Sequence, residues 1–366
     1  MKITFNRAEL QTAVNGLSML VCGRHTLPII GCVKFVCEEA GSGEYITALG
    51  TDLNSSATFR GFAKTATDSA GEGVVSMAHL KRALRLTPPG ASLEMSITDK
   101  VVNFKTERSR VRCFAFPPEE FPTCVTQPKG GGAVMANGFT KAFRAAMLCA
   151  SSDESRAVLN GALLQDGNLV ATDGRRMVSL PTEAKGLQSA IIERNAFLTR
   201  AKLEETASVL VGRVGTSTLQ AFFLSTSTWH FAGRCIEGRF PDYKQVIPKE
   251  GAHTFTLKDS DAVELARMLP AMFAQQWDTP VTVKLDDEGG LSFEATHTDD
   301  GTVEMKYAAE SFKTTTGGFK VSLNRNFLTE ALRQGFRTWN GTDDLSPIKA
   351  TKPDGACHVL MPMRIR

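Results

Sequence analysis

One local plan, written six times, limits what this chain can become. A short run of strand-forming residues meets a polar break, and a stretch with apolar residues three and four apart follows. The segments are I-T-F-N-R-A-E-L-Q-T-A-V (3–14), V-S-M-A-H-L-K-R-A-L (75–84), V-M-A-N-G-F-T-K-A-F (134–143), I-E-R-N-A-F-L-T-R-A (192–201), F-T-L-K-D-S-D-A-V-E-L-A (255–266) and V-S-L-N-R-N-F-L-T-E-A-L (321–332). A period of two giving way to a period of 3.6 marks a strand running into an amphipathic helix. Between these segments, runs such as C-V-K-F-V-C (32–37), N-L-V-A-T-D (168–173) and T-V-K-L-D (282–286) alternate branched or aromatic residues with polar ones. Turns rich in Gly, Asp and Asn follow them, as strands require. Two helices with their strands fill about 120 residues, so three such pairs fill the chain.

A second repeat marks the boundaries. P-E-E-F-P-T (118–123) returns as E-G-R-F-P-D-Y (237–243), with the Phe-Pro pair repeated about 119 residues later. Met361-Pro362 stands where a third pair would fall. The stretches Q-P-K-G-G-G (127–132) and P-K-E-G-A (248–252) read as linkers. The expected division is therefore 1–127, 132–249 and 252–366.

Composition narrows the class. Hydrophobic residues make up 42% and charged residues 22% of the chain, enough for packed cores and against wholesale disorder. The net charge of +3 is no footprint of a strongly basic nucleic-acid binder, although the total hides its distribution. None of the eight cysteines forms C-x-x-C, and no histidines sit at metal-ligand spacing. The cysteines read as small buried hydrophobes in a reducing cytosol. The start, M-K-I-T-F-N-R, lacks an apolar signal core, and no apolar run approaches ~20 residues. The expectation is a cytoplasmic protein with no membrane span.

Several helix faces are basic. Leu80, Ala83 and Leu84 fall on one side of their helix, leaving Lys81, Arg82 and Arg85 outside. Lys141 and Arg144 lie three apart; Arg194, Arg200 and Lys202 mark the fourth helix, and Arg333 and Arg337 the sixth. A single such face is an ordinary solvated surface. Several, converging from repeated helices, suit a polyanion held through its phosphates without sequence preference.

Catalytic groupings are missing. There is no G-x-S-x-G, Walker loop, H-E-x-x-H or G-x-G-x-x-G, and the six histidines are scattered. A-T-D-G-R-R-M (171–177) offers Asp173 beside Arg175 and Arg176, which could suggest a phosphate site. After N-L-V-A the same residues read as a strand-end turn. No catalytic residue, metal ligand or cofactor site is assigned.

In this order and spacing, the motifs resemble the bacterial DNA polymerase III β subunit, the sliding clamp, over the whole chain. The marks are G-R-H-T-L-P-I-I (23–30), G-T-D-L (50–53), L-N-G (159–161), A-T-D-G-R-R-M, E-G-R-F-P-D-Y-K-Q-V-I-P (237–248), L-S-P-I (345–348) and the terminal L-M-P-M-R-I. The resemblance implies an α+β fold of three tandem clamp domains, each with two helices and two antiparallel sheets. It implies a head-to-tail homodimeric ring around duplex DNA, held topologically rather than by tight, sequence-specific contact, so a charge of +3 suffices. It implies a non-catalytic processivity factor that tethers the polymerase III catalytic subunit, the clamp loader, other polymerases and repair proteins by a short linear peptide.

The resemblance also implies residues. The peptide pocket matches Leu159, Thr172, Gly174, Arg175, Arg176, Met177, Pro241, Val246, Leu360, Met361, Pro362, Met363 and Arg364. Methionine and proline make an adaptable apolar surface, suited to many partners. Arg24 matches an arginine in a loop near DNA and joins Lys81, Arg82, Arg85, Lys141, Arg144, Arg194 and Lys202 as expected DNA contacts. At the dimer interface, Met272 and Phe273 match an apolar pair, and Arg108 and Arg110 would face Asp299, Asp300 and Glu304. Three positions depart from the pattern: Arg175 replaces the usual histidine, Leu360 stands where valine is also common, and Arg366 extends past the usual end. Two other readings stay open: an enzyme acting on a phosphorylated substrate through Asp173, Arg175 and Arg176, and a clamp-like homologue that docks peptides without encircling DNA.

Overall fold

The structure is a computed structural model. It describes residues 1–21, 27–40, 43–62, 70–98, 100–125, 132–213, 219–249, 251–272, 279–297, 301–315 and 317–364. All six repeated segments fold as a strand leading into a helix. The helices are α1 (Arg7–Leu17), α2 (Met77–Arg85), α3 (Phe139–Met147), α4 (Ala196–Arg200), α5 (Asp259–Met268) and α6 (Arg325–Arg333).

The polar break in the repeat is the start signal. Asn6 accepts from the amide of Ala8 at 2.8 Å, Asn195 from Phe197 at 2.8 Å, and Asn324 from Asn326 at 2.9 Å. Each asparagine stays extended, closing the strand, while its side chain satisfies an amide the helix cannot. Such a cap is worth about 1 kcal/mol. Helix α5 has no such side-chain cap and instead carries Asp259 and Asp261 in its first turn, where the helix dipole favours them.

Packing gathers the chain into two compact units, residues 1–143 with 182–237 and residues 144–181 with 238–366. These limits follow contact density and differ from the repeat boundaries near 127–132 and 249–252. The first unit holds an antiparallel sheet ordered Lys2–Asn6, Ser92–Thr98, Val101–Lys105, Arg110–Phe114. Its second sheet runs Gly71–Ser76, Cys32–Ala40, Gly43–Thr51, Ser55–Phe59, Trp229–Ile236, Gln220–Ser225, Thr206–Arg213, Val134–Asn137, again antiparallel. The second unit repeats the design. One sheet is ordered Phe319–Asn324, Pro280–Leu285, Gly290–His297, Gly301–Ala308. The other runs Ser311–Lys313, His253–Thr256, Thr338–Gly341, Ile348–Thr351, Cys357–Leu360, Arg176–Pro181, Asn168–Thr172, Gly161–Gln165.

In the first unit, rings of Phe59 and Phe197 meet Trp229 edge-on at 4.8 and 5.0 Å. Trp229 in turn presses on α1, where a Cβ at Gly16 would come within 2.4 Å of its ring. Only glycine admits that approach, so Gly16 is the price of burying the indole against the helix. Both Phe-Pro phenylalanines, Phe121 and Phe240, are buried, which explains why the mark repeats. Among the described residues no disulfide forms, and Cys32, Cys37 and Cys149 are buried. No helix among them is long and apolar enough to cross a membrane.

The Trp229 contact sets a stability test. Gly16→Ala should lower the unfolding free energy by about 1–3 kcal/mol through overpacking, read as a shifted denaturant midpoint with unchanged slope. An unshifted midpoint would mean that Trp229 does not pin α1.

Candidate functional site: an apolar pocket beside a braced turn

The pocket grows from the hairpin between strands Asn168–Thr172 and Arg176–Pro181 in the second unit. Its turn is fastened by side chains. Asp173 Oδ1 accepts from the amides of Arg175 at 2.9 Å and Arg176 at 3.0 Å. Thr172 Oγ1 donates to the Arg176 carbonyl at 2.7 Å and accepts from the Gly174 amide at 3.0 Å. Gly174 adopts φ +87°, a left-handed conformation that a side chain would resist. The expected strand-end turn is what forms.

Two adjacent arginines leave this turn with different fates. Arg176 points inward. Its Nε donates to Asp173 Oδ2 at 2.9 Å, Nη1 to Glu330 of α6, and Nη2 to the Leu148 carbonyl at 2.5 Å. Its guanidinium also stacks over the Phe327 ring, 4.1 Å from the centroid. Every face of that cation is committed. Arg175 is exposed; its carbonyl accepts from the Met361 amide at 2.9 Å. That bond and the strand pairing of Met177 with Val359 bring the chain's last strand to the turn.

The result is a cavity of about 170 Å³. Leu159, Met177, Tyr243 and Val359 form a buried floor, and Val246 and Met361, 51% and 43% exposed, form an open apolar rim. Thr172, Gly174, Arg175, Arg176, Pro241 and Asp242 complete the lining. Burial pushes the Tyr243 phenol up, so it stays a neutral donor. The expected residues Leu360, Pro362, Met363 and Arg364 do not line this cavity. Strand alternation sends Val359 and Met361 into it and buries Leu360 on the opposite side. Beyond them, the Met363 amide is tied to the Ser322 carbonyl at 2.7 Å, and Arg364 is exposed. Sequence reading missed Asp242, Tyr243 and Val359, which the alternation and the Pro241-Asp242-Tyr243 run could have supplied.

Behind the floor lies a buried pair. His358 Nε2 meets Cys149 Sγ at 3.3 Å, and the imidazole meets Phe336 edge-on at 5.4 Å. Burial, with the Arg176 charge adding to it, drives the His358 pKa down to about 3. Burial also pushes the Cys149 thiol up to about 12. Two larger open hollows, of about 440 Å³ beside Lys202, Glu204 and Trp229 in the first unit and about 530 Å³ beside Lys284, Asp286 and Lys320 in the second, are more polar in their lining.

The expected DNA contacts sit on helices or at their ends. On α2, Leu80, Ala83 and Leu84 are buried, Arg82 and Arg85 exposed and Lys81 half-buried. Lys141 is exposed and Arg144 half-buried on α3; Arg194 and Lys202, exposed, flank α4. Arg337, grouped by sequence with the sixth helix, lies past its end and is bound to Asp259 at 2.7 Å. Of the expected interface residues, Arg108 and Arg110 are exposed, Glu304 lies on the edge strand Gly301–Ala308, and Met272 is buried with its carbonyl accepting from Arg325. Arg24, Phe273, Asp299, Asp300 and Arg366 lie outside the described residues. No group of three or more metal-ligating side chains converges among the described residues.

The buried imidazole makes stability fall with acid. An unfolded histidine binds its proton near pH 6.5, whereas the folded one resists until about pH 3. Stability is therefore full above pH 6.5 and is lost as pH drops towards 3. Between pH 6.5 and 4 this one group accounts for on the order of 3 kcal/mol. In His358→Gln, unfolding free energy should depend less on pH across that interval; an unchanged slope would mean that His358 is not held neutral.

No family model matches the chain. The β sliding clamp of Caulobacter vibrioides is 26% identical to it over 391 aligned positions, covering all of both chains. That of Vibrio cholerae is 25% identical, again covering all of both. Among solved structures, the Caulobacter crescentus β sliding clamp superposes with a TM-score of 0.82 at 23% identity, covering 100% of this chain and 99% of that one. A sliding clamp of Bartonella birtlesii bound to griselimycin gives 0.81 at 20% identity, covering all of both chains. Along its whole length in sequence, and in its fold, the chain is similar to bacterial β sliding clamps.

Proposed function

We propose that two copies of this chain close head to tail into a ring around duplex DNA and tether a replicative polymerase to it. The reading is of a non-catalytic processivity subunit acting in the cytoplasm, where the chromosome is. The observation that carries it, beside the full-length similarity, is a pair of unlike open sheet edges. Strands Arg110–Phe114 and Gly301–Ala308 each pair on one side only among the described residues. The first presents Arg110, Arg112 and Phe114, the phenylalanine 80% exposed. The second presents Val303, Glu304 and Lys306, the last two paired at 3.2 Å, beside α5 with Asp261 and Glu264. An unpaired edge invites another strand, and two unlike edges favour a heterologous contact that closes into a ring. Arg108 and Arg110 of one copy would face Asp299, Asp300 and Glu304 of the other, with Met272 and Phe273 behind them.

In this reading the chain divides into clamp domains 1–127, 132–249 and 252–366, which the six evenly spaced strand–helix steps support. Arg24, Lys81, Arg82, Arg85, Lys141, Arg144, Arg194 and Lys202 would meet phosphates interchangeably as the ring slides. The pocket around Met177, Val246, Val359 and Met361 would take a short peptide from the polymerase III catalytic subunit, the clamp loader, other polymerases or repair proteins. Adaptable methionines suit one site serving several partners. The phosphate-site alternative is weakened because Asp173 and Arg176 are committed to each other and to the turn.

Topology gives the direct test. After loading by a clamp loader, the protein should stay on nicked circular DNA and leave linear DNA of the same sequence within the same time; equal retention on both would sink the ring. Arg110→Glu should raise the concentration at which dimers form about tenfold, with Glu304→Arg in the same chain restoring it, as read by sedimentation. Deleting residues 361–366 should abolish peptide binding while the dimer persists; monomers on that deletion would reassign the tail to the interface.

A further inference from the structure

Strand alternation gives the first unit's four-stranded sheet two unlike faces. Leu93, Met95, Val102 and Phe104 are buried on one side, and Glu94, Asn103 and Lys105 turn to the other. On the edge strand, Val111 and Cys113 are half-buried on the inner side, where Arg82 of α2 lies close enough to act on the Cys113 thiol. Arg110, Arg112 and Phe114 therefore point away from α2, and all three are exposed. Lys105 lies opposite Arg110 across the strands, and Val101 opposite Phe114.

The cations of this outer face are uncommitted. Its strands carry Lys2, Lys105, Arg110 and Arg112 against a single carboxylate, Glu94. Glu94 is opposite Lys105 in register, yet it is Lys2 that holds it, at 3.2 Å. No ion pair among the described residues engages Lys105, Arg110 or Arg112. The matching face in the second unit is built otherwise. There Lys284 pairs with Glu294, Lys306 pairs with Glu304 at 3.2 Å, and Lys320 lies close enough to act on Glu294 as well. At the end of the first unit's cation row stands Phe114, at 80% the most exposed large apolar side chain among the described residues.

A flat sheet with a row of cations and a bare ring is complementary to a single-stranded nucleic acid. Arg110 and Arg112, two residues apart on one strand, are spaced by about 7 Å, which an extended single strand can follow with successive phosphates. The ring offers a platform on which an unpaired base stacks, whereas a duplex keeps its base faces covered. An acidic protein would meet the same cations but would gain little from the ring.

We propose that the outer face of this sheet holds single-stranded nucleic acid, with phosphates on Lys105 and Arg112 and a base stacked on Phe114. The proposal does not depend on the ring around duplex DNA. It concerns the side of the sheet away from α2, whose Arg82 and Arg85 are among the expected duplex contacts. Arg110, assigned above to the contact between copies, is not needed for it.

The test is fluorescence anisotropy on the full chain with a labelled thymidine oligomer of ~15 nucleotides, and with a labelled duplex of the same length. At ~50 mM salt the oligomer should bind, and Phe114→Leu should weaken it about five- to tenfold, the loss of one stacked base. Phe114→Tyr keeps a ring and should bind the oligomer as the unaltered chain does. Lys105→Ser should flatten the slope of log affinity against log salt by about 0.7, the share of one phosphate on a single strand. Duplex affinity should move in neither Phe114 variant. Leucine keeps apolar bulk on the edge strand, so a Phe114 that serves only the edge would leave Phe114→Leu with full oligomer affinity and overturn the proposal. Equal losses for oligomer and duplex would mean a surface for any polyanion and overturn it too. Poly-glutamate that displaces the oligomer equally well from the unaltered chain and from Phe114→Leu would reassign the face to an acidic protein. No binding of the oligomer by the unaltered chain would also overturn it.

Discussion

The pocket of the second unit depends on one half-buried cation. A guanidinium taken out of water must be paired and hydrogen-bonded, or the desolvation loss is several kcal/mol. Arg176 meets that demand with Asp173, Glu330, the Leu148 carbonyl and the Phe327 ring. The partners come from three stretches of the sequence: the hairpin turn, helix α6, which gives both Glu330 and Phe327, and the segment after α3. Satisfying one side chain therefore fixes the turn against the helix. The turn in turn fixes the pocket, since Gly174, Arg175 and Met177 line it. Removing either carboxylate would leave charge unbalanced in a half-buried place, which is worse than never having had the pair.

The same cation sets the chemistry behind the pocket. His358 sits on the last strand with its ring turned away from the cavity and into the core, against Cys149 and Phe336. Burial alone disfavours its protonated form, and Arg176 adds like-charge repulsion. The pocket's back wall is therefore neutral and rigid at physiological pH, while its rim is methionine and valine. A neutral floor under an adaptable rim suits the proposed docking of several peptides.

How much of this could be read from the sequence depends on range. The strand–helix steps were legible because period and cap are local: Asn6, Asn195 and Asn324 announce their helices within three residues. The hairpin turn at Thr172–Arg176 was legible for the same reason. The partners of Arg176 were not, because Glu330 lies 154 residues away and nothing local links them. Sequence reading therefore gave Arg175 and Arg176 the same role, whereas packing divides them into a brace and a rim charge. Leu360 lies off the cavity for a smaller reason: a strand sends successive side chains to opposite faces, so Val359 lines the cavity and Leu360 does not. Likewise Arg337 was grouped with α6 by spacing, and its bond to Asp259 shows that a basic residue near a helix end is as apt to tie down a neighbour as to face a polyanion.

The two four-stranded sheets share one plan and differ at their outer strands, and that difference bears on assembly. Had both edges carried the same charges, copies would repel along them or pair through like surfaces. Instead one edge bears Arg110 and Arg112 around an exposed Phe114, and the other bears Val303 and Glu304, with Lys306 pairing to Glu304 at 3.2 Å. The two edges are unlike. Unlike edges drive head-to-tail growth, which ends in a filament unless the rotation between copies closes it. In the proposed ring, net charge would stop being the measure of DNA affinity: enclosure would hold the duplex, and a chain of charge +3 could slide on a polyanion that a strongly basic one would grip.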